Sequence, residues 1–227
     1  NSGKFYKSTL GHLIMTYYNV SSRFGKGLDI KLEGECVNYD RSWAKEELKN
    51  EHQNLNIPKH VSDTLEKGWY FTLSSRFDLF DAKKFKERLI ISSIIPTGEA
   101  YGSNFFGTSL YLAGLIPSDI LVDGKTGVSK GCPGIEDYLE RFNGIDSFDE
   151  NAIIVYYNEG KICHSVYWEK ERKEFFDRAG LWRPLRGYKS LPKPNSLDVV
   201  IFDASKSIDF SDLFPASLED AHNFIIA

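Results

Sequence analysis

The 227-residue chain is sparing in cysteine, proline and methionine, with 3, 8 and 1 of each, and it has no block of one charge and no long apolar run. Cys36, Cys132 and Cys163 are odd in number and far apart, which argues against a disulfide framework and for reduced thiols in a reducing compartment. None belongs to a C-x-x-C pair, and His12, His52, His60, His164 and His222 show no H-E-x-x-H spacing, so neither a metal nor another cofactor is expected. Lys and Arg total 28 against 32 Asp and Glu, a formal charge of −4, and the basic runs are as short as Lys83-Lys84; a nucleic-acid partner is not expected. The apolar stretches Leu89 to Pro96 and Leu110 to Pro117 fall short of the roughly 20 residues of a membrane span, so no such span is expected and the protein reads as soluble. No charged segment leading into an apolar one follows Asn1, and the export route is not legible.

Rings are plentiful instead. Sixteen Phe, 12 Tyr and 4 Trp within 41% hydrophobic residues supply the apolar mass of a globular core. Phe5 to Tyr18 and Leu28 to Leu32 read as strands, Ser42 as the cap of a charged helix from Trp43 to Asn54, Pro58 to Lys67 as a second helix, and Trp69 to Leu73 as a strand. Ala82 to Arg88 has the pattern of a short amphipathic helix, followed by a buried strand from Leu89 to Ile95 that Pro96 closes. Asn104 is placed to cap an apolar, interior helix from Phe105 to Leu115. Pro133 opens a helix carrying Ile135, Tyr138, Leu139 and Phe142, which Asn143-Gly144 ends. Ala152 to Tyr157 and Ile162 to Trp168 flank a turn as a hairpin does; Glu174 to Asp177 and Leu197 to Phe202 add strands, and Ser217 caps a last helix through Ile226.

The second half thus runs loop, buried helix, surface helix, then a hairpin with a histidine in its second strand and an acid just beyond. Cysteine hydrolases need those parts. A helix amino end acidifies a thiol, a rigid strand holds an imidazole against it, and a further polar group orients the imidazole.

The run Ala152-Ile-Ile-Val-Tyr-Tyr-Asn-Glu-Gly-Lys-Ile-Cys-His-Ser-Val-Tyr-Trp168, followed by Phe175-Phe-Asp-Arg-Ala-Gly180, resembles the histidine hairpin of NlpC/P60-type papain-like hydrolases. Tyr101-Gly-Ser-Asn-Phe-Phe-Gly-Thr-Ser-Leu-Tyr-Leu-Ala-Gly114 is similar to that family's nucleophile helix. The likeness spans roughly residues 98 to 190. It implies His164 as base, Asp177 as orienter, Tyr101 near the oxyanion, and position 105 as the seat of the nucleophile, where this chain has Phe105. A benzyl group has no attacking atom, so covalent catalysis is lost if the alignment holds.

The resulting expectation is an α+β fold: a papain-like, NlpC/P60-resembling core with an antiparallel sheet packed on a buried helix, in a domain of residues 96–227, preceded by a strand-and-helix region of residues 1–95 that augments the sheet or stands apart. The implied function is that of a cysteine peptidase or amidase relative lacking its nucleophile. The alternative is a non-catalytic module, of effector or toxin type, that recognises a peptide, glycan-peptide or protein. Other seats for a nucleophile remain open at Cys36, in a loop before a helix, and at Cys132, just before Pro133. Cys163 adjoins His164 and by strand alternation points away from it. Thr108 and Ser109 are expected to bond back to helix carbonyls, Asp177 reads equally as a turn or salt-bridge carboxylate beside Arg178, Arg172, Arg178, Arg183 and Arg186 read as a solvated face, and Trp168, Phe175, Phe176 and Trp182 as core rather than a ligand-stacking surface.

Overall fold

A computed structural model of the chain describes residues 35–51, 54–57, 59, 65, 82–94, 104–116, 119, 122, 124, 134–179, 184–192, 196–210 and 212–213. In chain order it contains β1 (Cys36–Tyr39), α1 (Arg41–Asn50), α2 (Phe85–Ile94), α3 (Phe105–Leu112), α4 (Ile135–Leu139), β2 (Ala152–Asn158), β3 (Lys161–Glu169), β4 (Glu174–Arg178), β5 (Leu185–Tyr188) and β6 (Asp198–Asp203). The fold is α+β. All six strands form one antiparallel sheet in the order β1-β5-β4-β3-β2-β6. The strands expected over Phe5 to Tyr18, Leu28 to Leu32 and Trp69 to Leu73, the helix from Ser217, and the domain division at Pro96 lie outside the described residues; of the Pro58 to Lys67 helix only Lys59 and Leu65 are described, both helical.

The centre of the sheet forms as its sequence dictates. β2 and β3 are joined by Glu159-Gly160, with φ of 50° and 74°, the left-handed pair that a two-residue turn requires and that glycine adopts without strain. Alternation then sorts side chains by face. Ile153, Val155, Tyr167 and Phe176 enter a core with Leu89, Ile90, Ile94, Leu110 and Leu112 of α2 and α3, while Ile154, Tyr156, Val166, Trp168 and Phe175 form a smaller cluster on the other face. Each fully buried aliphatic chain of this kind contributes about 1.5–3 kcal/mol of transfer free energy.

Two expectations are corrected, and two strands are added. The Leu89 to Ile95 strand is instead part of a single helix, α2, with Leu89, Ile90, Ile91 and Ile94 all buried. A helix covered on every side carries no polar face, so its sequence has the same unbroken apolar look as a buried strand. Its start is fixed by Glu87, whose carboxylate accepts from the backbone N–H groups of Lys83, Lys84 and, across the chain, Asn56. The helix after β1 is capped by Asp40 rather than Ser42: Asp40 Oδ1 accepts from Trp43 N at 3.0 Å. Finally, β1 and β5 are strands of four residues each that sequence pattern does not announce.

β1 extends the sheet beside β5, where the Tyr39 hydroxyl donates to Glu174 Oε1 at 2.6 Å. Gly187 makes the contact possible, because a Cβ there would collide with that carboxylate and the Tyr39 ring. Burial, reinforced by Glu174, pushes the Tyr39 phenol up to about 12.

Candidate functional site

The amino end of α3 is built by Asn104. Its side-chain oxygen accepts from Gly107 N at 3.0 Å and Val122 N at 3.2 Å, and its amide donates to Val122 O at 2.6 Å. The expected cap is therefore present, and it also ties Val122 to the start of the helix. Phe105 is the first helical residue and is half-buried.

A hydroxyl chain fixes α3 to β3. Ser165 Oγ donates to Phe105 O at 3.0 Å, and Ser109 Oγ lies 2.8 Å from Ser165 Oγ. Thr108 and Ser109, expected to bond back along their own helix, bond across it: Thr108 accepts from Arg178 Nε at 2.8 Å and donates to Asp119 Oδ1 at 3.1 Å. A small polar residue in a helix facing a sheet finds a better partner there than in carbonyls already used by the helix.

His164 reaches the same place by an irregularity in β3. Tyr156 pairs with His164 and Tyr157 with Ile162, which leaves Cys163 as an inserted residue, a bulge. Ile162 and Ser165 then both meet the α3 side, as strict alternation would forbid, while Cys163 and His164 both lie against Tyr156. The expectation that Cys163 and His164 point apart fails for this reason. Cys163 is still no partner for the imidazole: its thiol donates to Tyr156 O at 3.3 Å, and burial pushes it up to about 11, so it stays protonated at neutral pH.

The His164 ring centroid lies 4.6 Å from that of Phe105, tilted by 58°. On its other side, His164 Nε2 is 2.7 Å from Asp177 Oδ2. The two side chains are 3% and 0% exposed. Asp177 also accepts from Arg186 Nε at 2.9 Å and Nη2 at 2.8 Å, a two-pronged ion pair across the β4–β5 register. Both Asp177 oxygens accept from the Arg186 guanidinium, so the carboxylate is the acceptor in its contact with His164 and the ring's Nε2 donates. Tyr156 and Tyr188 complete the surroundings, and both phenols are pushed up by burial first and by the Asp177 charge second.

The structure thus brings together His164, Asp177 and Phe105; Tyr101 lies outside the described residues, as do Cys132, Arg183 and Trp182. Cys36 is exposed on edge strand β1 rather than at a helix amino end, so the acidifying loop-and-helix setting considered for it does not exist. Asp177 pairs with Arg186, not with its neighbour Arg178. Arg178 is 2% exposed and pairs with Asp119 at 3.2 Å, so the solvated-face reading of these arginines fails for Arg178 and Arg186. Trp168 and Phe175, with ring centroids 4.4 Å apart, and Phe176 are buried packing residues. Arg186, Ser165 and Ser109 are the members of the site that sequence reasoning missed. β5 lacks a strand signature, and which arginine crosses to which carboxylate depends on strand order.

Among the described residues, no three His, Cys, Asp or Glu side chains gather where they could hold a metal ion, and no helix is long and apolar enough to cross a membrane. The arrangement can orient and polarise an imidazole. Among the described residues, the side chain at the start of α3 that meets the ring is Phe105, which carries no attacking atom. No family model, curated protein or solved structure matches this chain.

Proposed function

We propose that this chain is a papain-like, NlpC/P60-related domain whose hydrolytic chemistry is removed by Phe105, leaving a module that binds a peptide, glycan-peptide or protein partner. The observation that carries the reading is the 4.6 Å approach of the Phe105 and His164 rings at the amino end of α3, with Asp177 holding the far side of the imidazole. A helix amino end and an imidazole oriented by a carboxylate are the surroundings that turn a thiol into a nucleophile, and residue 105 stands at the first and against the second. With a benzyl side chain there, the site keeps its walls and loses its reaction.

The test restores the missing atom. A Phe105→Cys variant in a Cys36→Ser background is treated with iodoacetamide between pH 5 and 9, and the label is mapped by mass spectrometry. The expected outcome is alkylation at position 105 already at pH 6, which disappears when His164→Ala is added. The wild-type chain, by the same reading, hydrolyses no peptide or amide substrate. A folded variant whose thiol reacts only in the ordinary alkaline range, or equally well without His164, removes the hydrolase relationship and leaves an α+β interaction domain with no ancestral site.

A further inference from the structure

We infer that Arg186 is a positioning residue for His164, acting through Asp177. The inference deepens the reading proposed above, because it concerns the same site, but it rests on separate contacts. Three observations converge on it. Arg186 lies directly opposite Asp177 in the β4–β5 register. Its Nε and Nη2 contact different oxygens of that carboxylate, so the fork fixes the rotation of the carboxyl plane as well as its distance. Asp177 Oδ2 then serves both Arg186 Nη2 at 2.8 Å and His164 Nε2 at 2.7 Å, which places the guanidinium one oxygen away from the imidazole.

The consequence is chemical. The carboxylate is completely buried, and an isolated carboxylate in such a place would escape its desolvation penalty by taking a proton. A protonated Asp177 would donate to the ring and invert its tautomer. The guanidinium, itself only 17% exposed, supplies a donor to each Asp177 oxygen, so the carboxylate is held as the acceptor and the Nε2–H of His164 points at it. The order of dependence is Arg186, Asp177, His164, then whatever meets His164. Sheet stability alone would need neither a forked contact nor a shared oxygen.

The measurement is the long-range proton–nitrogen correlation of the His164 ring in the uniformly labelled protein, taken across pH 5 to 9 for wild type, Arg186→Met and Arg186→Lys. Wild type is expected to show the single tautomer protonated at Nε2. Arg186→Met is expected to lose that pattern, and Arg186→Lys, which keeps the charge without the fork, to retain the tautomer while exchanging its Nε2 proton with water about tenfold faster, the equivalent of one charge-assisted bond weakened. Where Arg186→Met does not fold, the lysine variant decides. A folded variant whose His164 tautomer and exchange match wild type overturns the inference. Failure here is separable from failure of the proposed function: an inert Phe105→Cys thiol beside an Arg186-dependent tautomer sinks only the hydrolase relationship, and a reactive thiol beside an Arg186-independent tautomer sinks only the role of Arg186.

Discussion

Asp177 and Arg178 are consecutive on β4 and opposite in charge, yet each is paired with a different partner on a different side of the sheet. Arg178 faces the helices. It donates to Thr108 of α3 and pairs with Asp119, which also accepts from Ser92 of α2 at 2.5 Å. Both ends of that pair are dry, at 2% and 1% exposure. Asp177 is equally dry, but its guanidinium partner reaches the surface and its second contact is an imidazole. The first network fastens two helices and Asp119 to the sheet. The second presents a titratable ring to the amino end of α3. A buried charge therefore has two uses in one strand, and its partner's access to water separates them.

The largest expected effect comes from the interior pair. Asp119→Ala removes the Asp119 charge from the buried Arg178 cation, which keeps its bonds to Thr108 and Ser92 O, and should lower unfolding free energy by about 3–5 kcal/mol in urea titrations, whereas Arg178→Met combined with Asp119→Leu should recover most of that loss, since the buried cation is then gone as well. Asp177→Ala should cost less, about 1–3 kcal/mol, because Arg186 can turn to solvent. In the Phe105→Cys background the same change should slow iodoacetamide labelling by about tenfold to a hundredfold, and Asp119-network variants that remain folded should leave the labelling rate unchanged. Equal stability costs for Asp119→Ala and Asp177→Ala, or equal effects on labelling, would erase the distinction between the two networks.

Ser109→Ala removes one link between α3 and β3 and is expected to cost about 1 kcal/mol, read from the same titrations, with a smaller loss of labelling than Asp177→Ala. Asn104→Ala removes the cap and two contacts with Val122 and should cost about 1–2 kcal/mol. The smallest effect concerns pH. Burial raises the Cys163 thiol from its ordinary 9.0 to about 11, so the neutral form is favoured in the folded chain; its stabilising contribution is complete below pH 9 and is lost as pH rises toward 11. Cys163→Ala should flatten the fall in the urea midpoint over that interval, and iodoacetamide at pH 8 should label exposed Cys36 while sparing Cys163.

Legibility in the sequence followed the range of the interaction. The β2–β3 hairpin, the Asn104 cap and the third strand at Glu174 depend on neighbours within a few residues, and the sequence reading placed them within a residue or two. The helix expected over Ala82 to Arg88 supplies the first part of α2, and its second part reads as a strand because burial of every residue from Leu89 to Ile94 erases the periodicity that distinguishes the two. Strands β1 and β5 are too short for a pattern, and they become strands by pairing with each other and with β4. The bulge at Cys163 depends on the partner strand, so no alternation rule applied to β3 alone could have found it.

The amino acids in order determined the α+β class, an aromatic core, the turn at Glu159-Gly160, and a phenylalanine rather than a thiol at the start of α3. Only the tertiary structure decided that the imidazole meets that phenylalanine, that Asp177 takes Arg186 and His164 instead of Arg178, and that Ser109 and Ser165 join helix to sheet. The reason is physical. Caps and turns are settled by backbone groups a few bonds apart, whereas the partner of a buried charge is chosen by strand order, register and exclusion of water, all of which exist only once the sheet has closed over its core.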